Sequence, residues 1–363
     1  MKEKAMNNVT RRDFLRAGIV GTIAAGGLFT AWRPWVSKKS SEKMSMHEVN
    51  HVGNSLSMGA TATPEGEYTS HSMRMAGTNG EVDHFANGFN PTDLLTDYDG
   101  GKVSVLPDGR TLREYQIVSE DKDIEIMPGM IFPAWTYNGR IPGPTIRARE
   151  GDLIRIHFTN VTHHEHGMHF HGIHPGNMDG VYEQVPPGGS FTYEFDASPF
   201  GVHLYHCHAS PLAKHISKGL YGAFIVDPKD GWPKADHEFV MVMAGYDIDF
   251  DVANDFYTVN GIPFHYDKNP IPIKVGELVR IFLINILEFD PINSFHLHAN
   301  FFHYYPTGTS LTPSEFTDTI AQMQAQRGML EFRYSYPGRY MFHAHKTEFA
   351  ELGWTGVFDV SEA

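Results

Sequence analysis

The stretch Gly151–Asn160, GDLIRIHFTN, recurs later in the chain as Gly276–Asn285, GELVRIFLIN. In both copies a glycine and an acidic residue precede a run rich in leucine, isoleucine and valine. A turn residue followed by such a run is typical of a turn that leads into a buried β-strand. The repeat therefore predicts that one strand-forming unit occurs twice in this chain.

Further matches extend the repeat in the same order on both sides of this stretch. Upstream, Tyr137-Asn-Gly139 corresponds to Val259-Asn-Gly261, and Asn-Gly is a strong hairpin signal. Two copies of one β-sandwich domain, each of about 100 residues, explain the whole series. The downstream matches are His169-Phe-His171 with His296-Leu-His298, His206-Cys-His208 with His343-Ala-His345, and Gly219-Leu-Tyr-Gly222 with Gly353-Trp-Thr-Gly356.

The composition agrees with a chain built from strands and turns. The 363 residues include 35 glycines, 22 prolines and 13% aromatic residues, which favours short strands over long helices. The formal net charge is −14 and the sequence has no evident basic patch, so we expect no nucleic-acid partner. The single cysteine, Cys207, cannot form an internal disulfide.

Composition also divides the chain into four segments. The polar second segment contains scattered methionine and histidine, which are able to bind Cu(I) weakly, although an ordinary flexible arm is the preferred interpretation. The segments are a signal over 1–37, a polar linker or N-terminal arm over 38–110, a first β-domain over 111–228 and a second over 229–363.

The N-terminal segment indicates the compartment. Two adjacent arginines, Arg11 and Arg12, precede a moderately apolar run rich in glycine and alanine, which resembles a twin-arginine export signal. The run is shorter than the roughly 20 apolar residues that a membrane-spanning helix needs. We therefore expect export of the folded protein to the periplasm. No clear cleavage site follows, so retention of the segment as a membrane anchor stays open.

Four His-x-His motifs occur at matching positions of the two copies. In a strand, residues i and i+2 point to the same side, so each motif directs two imidazoles into one space. Neutral imidazole binds copper, zinc, iron and nickel. Eight imidazoles exceed the ligands of one tetrahedral zinc and fit a cluster of three metals better. The pairs are His169/His171, His206/His208, His296/His298 and His343/His345.

Cys207 lies between two of these histidines. A cysteine with two histidines and a weak or absent axial ligand describes a blue-copper electron-transfer site. His166 before the first motif and His215 after the cysteine complete this set. The expected axial position is Leu220, which cannot ligate. We therefore predict a three-coordinate type 1 copper site with a relatively high reduction potential.

The second copy lacks this cysteine site but keeps its His-x-His pairs. The sequence thus predicts one blue-copper site, in the first domain, and one cluster to which both domains contribute histidines. Aligned with His166, Cys207, His215 and Leu220, the second copy has Asn293, Ala344, Phe349 and Trp354.

With these motifs the chain resembles the two-domain multicopper oxidases that carry the type 1 copper in the first domain. The resemblance covers roughly 111–360. It implies an all-β fold of two cupredoxin-like Greek-key β-sandwich or barrel domains and four coppers per subunit. It also implies a homotrimer in which the first domain of one subunit and the second domain of the next form each trinuclear cluster.

The resemblance also implies a role for each histidine of the cluster. By similarity, His171 and His296 hold the type 2 copper. Asp179, just after the first His-x-His motif, and Glu348, after the last, are the candidate proton-transfer residues. The histidines that hold the type 3 pair are His169, His206, His208, His298, His343 and His345.

The implied activity is laccase-like. A phenol, a metal ion or a redox protein gives single electrons to the type 1 copper at the edge of His215, and Cys207 passes them to His206 and His208. O2 is then reduced to water at the cluster.

Two other functions stay open in the sequence. The long segment between Cys207 and His215 is similar to that of copper nitrite reductases, but those enzymes do not carry histidine together at His169, His208, His296 and His345. A copper-storage or electron-carrier protein is the third possibility. Copper content separates these classes: four ions per subunit for the oxidase, two for the reductase and one for a carrier.

Overall fold

The structure, a computed structural model, describes residues 80–363. The predicted signal segment and most of the predicted arm lie outside the described residues. Within 80–363, no helix is long and apolar enough to cross a membrane. The helices are α1 (His84–Asn87), α2 (Pro91–Leu94), α3 (Leu212–Ser217), α4 (His265–Lys268) and α5 (Thr347–Glu351), with a 3-10 turn at Gly176–Met178.

The remaining secondary structure is β-strand, in agreement with the predicted fold class. The strands of the first half are β1 (Tyr98–Asp99), β2 (Lys102–Val105), β3 (Thr111–Met127), β4 (Met130–Tyr137), β5 (Thr145–Arg149), β6 (Leu153–Asn160), β7 (His169–Phe170), β8 (Ser190–Asp196), β9 (Gly201–His206) and β10 (Tyr221–Asp227). Those of the second half are β11 (His237–Tyr246), β12 (Phe256–Val259), β13 (Ile271–Lys274), β14 (Val279–Asn285), β15 (Ile292–Leu297), β16 (Phe302–Pro306), β17 (Glu315–Thr317), β18 (Thr319–Met323), β19 (Arg327–Phe332), β20 (Gly338–His343) and β21 (Thr355–Ser361).

Each half forms two sheets that pack face to face. In the first half the sheets have the orders β1-β5-β10-β9-β7 and β2-β3-β6-β8, with β4 also paired to β3. In the second half they have the orders β13-β21-β20-β15-β18 and β12-β11-β14-β19-β16-β17. The repeated stretch becomes β6 and β14, each between one parallel and one antiparallel neighbour. The predicted pair of cupredoxin-like sandwiches is confirmed.

The glycine and the acid that begin each repeated stretch form the same turn. Gly151 and Gly276 have φ of +91° and +83°, a backbone region that strongly favours glycine. The carboxylate of Asp152 accepts the backbone N–H of Arg149 at 3.0 Å, and Glu277 accepts that of Lys274 at 2.8 Å. The repeated residues are therefore those that the turn into the strand requires.

The part of the predicted arm that the structure describes is not a linker. Residues 80–110 contain α1, α2, β1 and β2, and β1 adds to β5 at the edge of the first sheet. Phe89 and Leu94 are buried in an apolar core. The short elements lack the periodic apolar pattern that marks longer strands, so composition alone assigned this segment to the arm.

Three apolar cores hold these sheets together. One lies inside the first sandwich around Ile154, Ile156 and Phe158, and one lies inside the second. The third joins the two sandwiches, with β9 and β10 of the first facing β11 and β14 of the second. At this interface β14 is buried along its whole length. Its counterpart in the first domain, β6, exposes part of one face. The two domains thus share a continuous buried surface.

Candidate metal centre

Cys207, His166 and His215 meet inside the first domain. Cys207 Sγ lies 3.2 Å from His215 Nδ1 and 3.7 Å from His166 Nδ1, and the two nitrogens are 3.1 Å apart. The centre of such a triangle is about 2 Å from each corner, which is a normal metal–ligand distance. All three side chains are buried. One thiol and two imidazoles around such a point fit copper well.

The electrostatics of this site also suit a metal. Burial lowers the pKa of His166 to about 3 and that of His215 to about 4, so both rings are neutral ligands at pH 7. Burial raises the pKa of the Cys207 thiol to about 11. The thiolate therefore needs a bound cation to form at neutral pH, because a coordinated thiol loses its proton.

Three elements frame this site. Cys207 follows the last residue of β9, His215 lies on α3, and Leu220 precedes β10. The N–H of Cys207 donates to the carbonyl of Leu220 at 3.0 Å, which fixes the loop between them. The indole of Trp135 packs against both imidazoles, with ring centroids 5.2 Å from His166 and 4.8 Å from His215. The indole thus covers one side of both imidazoles.

The corresponding place in the second domain has the same backbone and no ligand set. The N–H of Ala344 donates to the carbonyl of Trp354 at 3.2 Å, as Cys207 does to Leu220. Phe349 and Trp354, which align with His215 and Leu220, are fully buried. The structure therefore supports the sequence alignment of the two copies at this position.

The His-x-His motifs form two groups of four imidazoles, one in each domain. In the first, His169 on β7 lies directly opposite His206 on β9. His171 follows two residues along, and its Nε2 is 3.2 Å from His206 Nε2. His208 joins the group with its ring centroid 5.4 Å from that of His169. Strand pairing is what brings the two motifs together.

The second group repeats this arrangement residue for residue. His296 on β15 lies opposite His343 on β20, and His298 Nε2 is 2.9 Å from His343 Nε2. The ring of His345 is 5.1 Å from that of His296, between centroids. Among residues 80–363, the structure records no contact between an imidazole of this group and one of the first. Within one subunit the two groups are therefore separate.

Backbone carbonyls orient half of these rings. His169 Nδ1 donates to the carbonyl of Asp179 at 2.8 Å and His206 Nδ1 to that of Cys207 at 2.9 Å. His296 donates to Asp318 at 3.0 Å, and His343 to Ala344 at 2.7 Å. A ring that donates through Nδ1 presents the lone pair of Nε2, which is the usual preparation of a metal-binding histidine.

The repeat pairs His171 with His298 and His169 with His296. The predicted type 2 ligands, His171 and His296, are not equivalent in this arrangement, because His171 occupies the position of His298. His171 and His298 each contact a histidine of the opposite strand through Nε2. The structure thus repeats the correspondence of His169 with His296 that the aligned motifs give, and the type 2 assignment to His171 and His296 stays a prediction.

The two predicted proton-transfer residues lie in different surroundings. Asp179 Oδ1 is 3.2 Å from His169 Nδ1, beside the first histidine group. Glu348 lies on α5, 61% exposed, and forms an ion pair with Lys346 at 3.2 Å. Within the described chain, only Asp179 of the two contacts a histidine of the groups.

Arg327 is a residue near this site that the sequence analysis missed. It comes from β19 in the second domain, yet it lines the open cleft formed by His169, His171 and Asp179 of the first. Its Nε donates to the carbonyl of Val202 at 3.1 Å. No local motif marks it, since packing of the two domains places it there.

Comparison with known proteins agrees with this geometry. Two family models, both described as multicopper oxidase, match residues 120–231 and 240–363. A crystal structure of a multicopper oxidase is 64% identical, covers 77% of this chain and all of its own, and superposes with a TM-score of 0.76. A copper nitrite reductase from Nitrosomonas europaea is 28% identical, with 69% of this chain and 94% of its own covered and a TM-score of 0.65.

A relative with a known activity is also similar. The copper-containing nitrite reductase of Neisseria gonorrhoeae is 29% identical over 245 residues, which is 62% of this chain. The chain spans 62% of the length of that relative. Both oxidases and nitrite reductases thus share this architecture.

Proposed function

Because this chain belongs to the multicopper oxidase family, we propose that it couples one-electron oxidation of a reducing substrate to four-electron reduction of O2 to water. Family membership makes it a copper-binding oxidoreductase. The observation that carries the choice of O2 is the pair of matching four-histidine groups. Eight imidazoles are more than one mononuclear metal site uses, and they suit a cluster.

The residues fit four coppers per subunit. Cys207, His166 and His215 would hold one, and the eight paired histidines would hold three. Copper bound there supplies one-electron transfer at the cysteine site and multi-electron redox capacity at the histidine site. The resemblance gives the type 2 position to His171 and His296, and we keep that assignment as a proposal. The other six imidazoles are then left for the type 3 pair.

The chain connects the two kinds of site covalently. Cys207 is bonded through the backbone to His206 on one side and His208 on the other. His206 also donates its Nδ1–H to the Cys207 carbonyl at 2.9 Å, which adds a second contact between them. This short connection supports the role of the His-Cys-His tripeptide as the electron path.

We also propose a homotrimer with clusters between subunits. The two histidine groups do not meet in the described part of one chain, and half of their rings have Nε2 prepared for a ligand. A second copy that brings its second domain to this first domain would complete one cluster. A head-to-tail contact of this kind closes into a trimer when each contact rotates the next subunit by a third of a turn.

Asp179 is the residue that we propose to supply protons at the cluster. Replacing it with asparagine removes the acid but keeps the shape, so we expect kcat for O2 uptake to fall by about 10²-fold. The measurement is oxygen consumption with saturating donor over a range of pH. Copper content should stay unchanged, which separates lost proton transfer from lost metal. Glu348→Gln, at an exposed position, should have a much smaller effect, and the reverse order would exchange the two roles.

Copper content and acceptor choice test the function as a whole. We expect four coppers per subunit, and one O2 consumed for every four electrons that a one-electron donor gives. The measurement combines metal analysis with an oxygen electrode and an NO electrode on the same preparation. Nitrite without O2 should yield little NO. Two coppers per subunit with rapid NO formation would refute the oxidase, and one copper with neither reaction would indicate a carrier.

Nitrite reduction is kept as the second candidate function for a specific reason. The relative from Neisseria gonorrhoeae is named as a copper-containing nitrite reductase. Six residues separate His208 from His215 in this chain, and they include the start of α3. A long segment at this place is similar to that of copper nitrite reductases. The four extra histidines relative to a mononuclear site nevertheless favour O2.

The proposed location is the periplasm, with export in the folded state. The supporting feature is the twin-arginine segment, and a protein exported folded can bind its copper before it leaves the cytoplasm. Fusing residues 1–37 to a reporter and locating it in cell fractions tests this. A reporter that stays cytoplasmic, or one whose export survives Arg11→Lys with Arg12→Lys, would contradict it.

A further inference from the structure

A groove of about 580 Å³ opens beside α3, the helix that carries His215. Its volume lies in the range of small-molecule sites, and its walls are mainly apolar. The apolar walls come from both domains: Pro133 and Pro211 of the first, and Phe250, Val252 and Phe289 of the second.

The wall from the second domain is held in an unfavourable backbone conformation. Phe250, Val252 and Phe289 have φ of 61°, 76° and 68°, where side chains other than glycine are rare and β-branched ones rarer. Such conformations are sparsely populated and gather at functional sites. Phe250 and Val252 are nevertheless 54% and 67% exposed. The strained backbone holds these apolar side chains at the surface, which indicates that a ligand binds there.

One lysine side chain in this groove has no ionic partner among residues 80–363. Lys218 is 93% buried, and in the described residues its ammonium has neither a hydrogen bond nor a carboxylate within 4 Å. The rings of Phe132 and Phe250 lie 4.9 and 4.8 Å from its nitrogen. Burial lowers the pKa of Lys218 to about 8, so it remains mainly charged at pH 7. An unpaired buried charge is costly, and a bound anion would offset that cost.

The acids nearby do not serve as that anion, since Asp121 and Asp123 favour the Lys218 charge only from beyond ion-pair distance. Asp247 also lines the groove, but its two oxygens accept the backbone N–H groups of Asp251 and Val252 at 3.1 and 2.9 Å. Its carboxylate is therefore used to hold the strained turn. The charge of Lys218 remains available to a molecule in the groove.

The groove is also next to the electron-entry site. Trp135 separates Lys218 from the ligand His215, with its ring 5.8 Å from the Lys218 nitrogen and 4.8 Å from the His215 ring. Pro211 and Lys214 line both this groove and a second cavity that reaches His215. A molecule held by Lys218 thus lies one indole away from a copper ligand.

We propose that this groove binds an aromatic carboxylate as electron donor, with its carboxylate on Lys218 and its ring against Phe250, Val252 and Phe289. This inference rests on the proposed oxidase function. A phenol ring on the same molecule gives one electron and one proton and becomes a phenoxyl radical. Four such donors supply the electrons and protons that convert one O2 into two waters.

Binding is tested first with a ligand that cannot be oxidised in this way. 3,4,5-Trimethoxycinnamate has the carboxylate and the ring but no phenolic hydroxyl. Calorimetric titration of the full-length copper-loaded protein should show one site per subunit. Lys218→Met should weaken this binding by about tenfold or more, the usual loss for a charged hydrogen bond. The exposed Lys229→Met removes the same charge elsewhere and should leave the dissociation constant unchanged.

Turnover gives the second readout. Sinapate and 2,6-dimethoxyphenol share the same phenol ring, but only sinapate has a carboxylate. Lys218→Met should lower the ratio of their kcat/KM values by about tenfold, mainly through KM for sinapate. Val252→Asp, at an exposed position where aspartate tolerates positive φ, should lower the same ratio by repulsion. This variant keeps the test valid if Lys218→Met does not fold.

The two readouts separate this inference from the oxidase proposal. Binding that depends on Lys218, without O2 uptake from any donor, would support the groove and refute the oxidase. O2 uptake with the same preference for sinapate in wild type, Lys218→Met and Val252→Asp would refute the groove alone. Failure of wild type to bind 3,4,5-trimethoxycinnamate would also overturn it.

Discussion

Cys207→Ser should remove the blue absorption of the protein and its oxidation of every donor. Serine keeps the size of the side chain in a fully buried site, so the fold should persist. Its oxygen is a harder ligand than a thiolate and suits Cu(I) poorly. Since changes around metal ligands already cost about 10- to 100-fold, loss of a ligand should lower kcat/KM by more than about 100-fold.

The measurements are visible absorption, metal analysis and oxygen uptake. Copper should fall from four ions to three per subunit, because His206 and His208 still serve the cluster. Ala344→Ser is the matched control, since Ala344 is equally buried and also lies between two histidines. It should leave the absorption unchanged. Sustained O2 uptake by Cys207→Ser with ordinary donors would mean that electrons enter elsewhere.

Two inactive variants should restore activity when they assemble together. His208→Ala damages only the histidine group of the first domain, and His345→Ala only that of the second. If each cluster takes one group from each of two neighbours, every mixed trimer contains one cluster with both groups intact. We therefore expect about one third of the wild-type rate. Clusters built within one subunit would all be damaged and give no recovery.

Co-expression of the two chains with different affinity tags makes this test direct. Purification through both tags selects mixed trimers, and oxygen uptake is then measured per subunit. The control pairs His208→Ala with His206→Ala, both in the first domain. No mixed assembly of those two has an intact first group, so it should remain inactive. Recovery in the control would point to exchange or repair rather than shared clusters.

The ligand set was predictable because strand geometry is regular. A His-x-His motif on a strand puts two rings on one face, and β7/β9 and β15/β20 then bring the pairs together as the repeat indicates. The prediction of His215 as a ligand required only that the segment after Cys207 fold back toward the cysteine. The assignment of the type 2 copper to His171 and His296 stays a prediction, since both residues of each motif lie on the same face.

The sequence motifs could not predict contacts that depend on how the two domains pack against each other. Arg327 reaches the first histidine group from β19, and Phe250 reaches Lys218 from the second domain. The repeat did contain one signal of this docking. His157 and Thr159 of the first copy correspond to Phe282 and Ile284 of the second, and these two lie in the core between the domains. When the outer face of a strand is apolar in just one of the two copies, that face is expected to pack against a partner.

The apolar core between the sandwiches has a consequence for the history of the chain. The repeat indicates duplication of one unit, and the two copies now share one apolar core. A cut near 228 would bare Val202, Leu204 and Ile225 on one piece and Val240 and Ile284 on the other. Each piece would then expose a large apolar surface, and we expect it to be weakly stable and to aggregate. The two halves therefore depend on each other for the burial of these side chains.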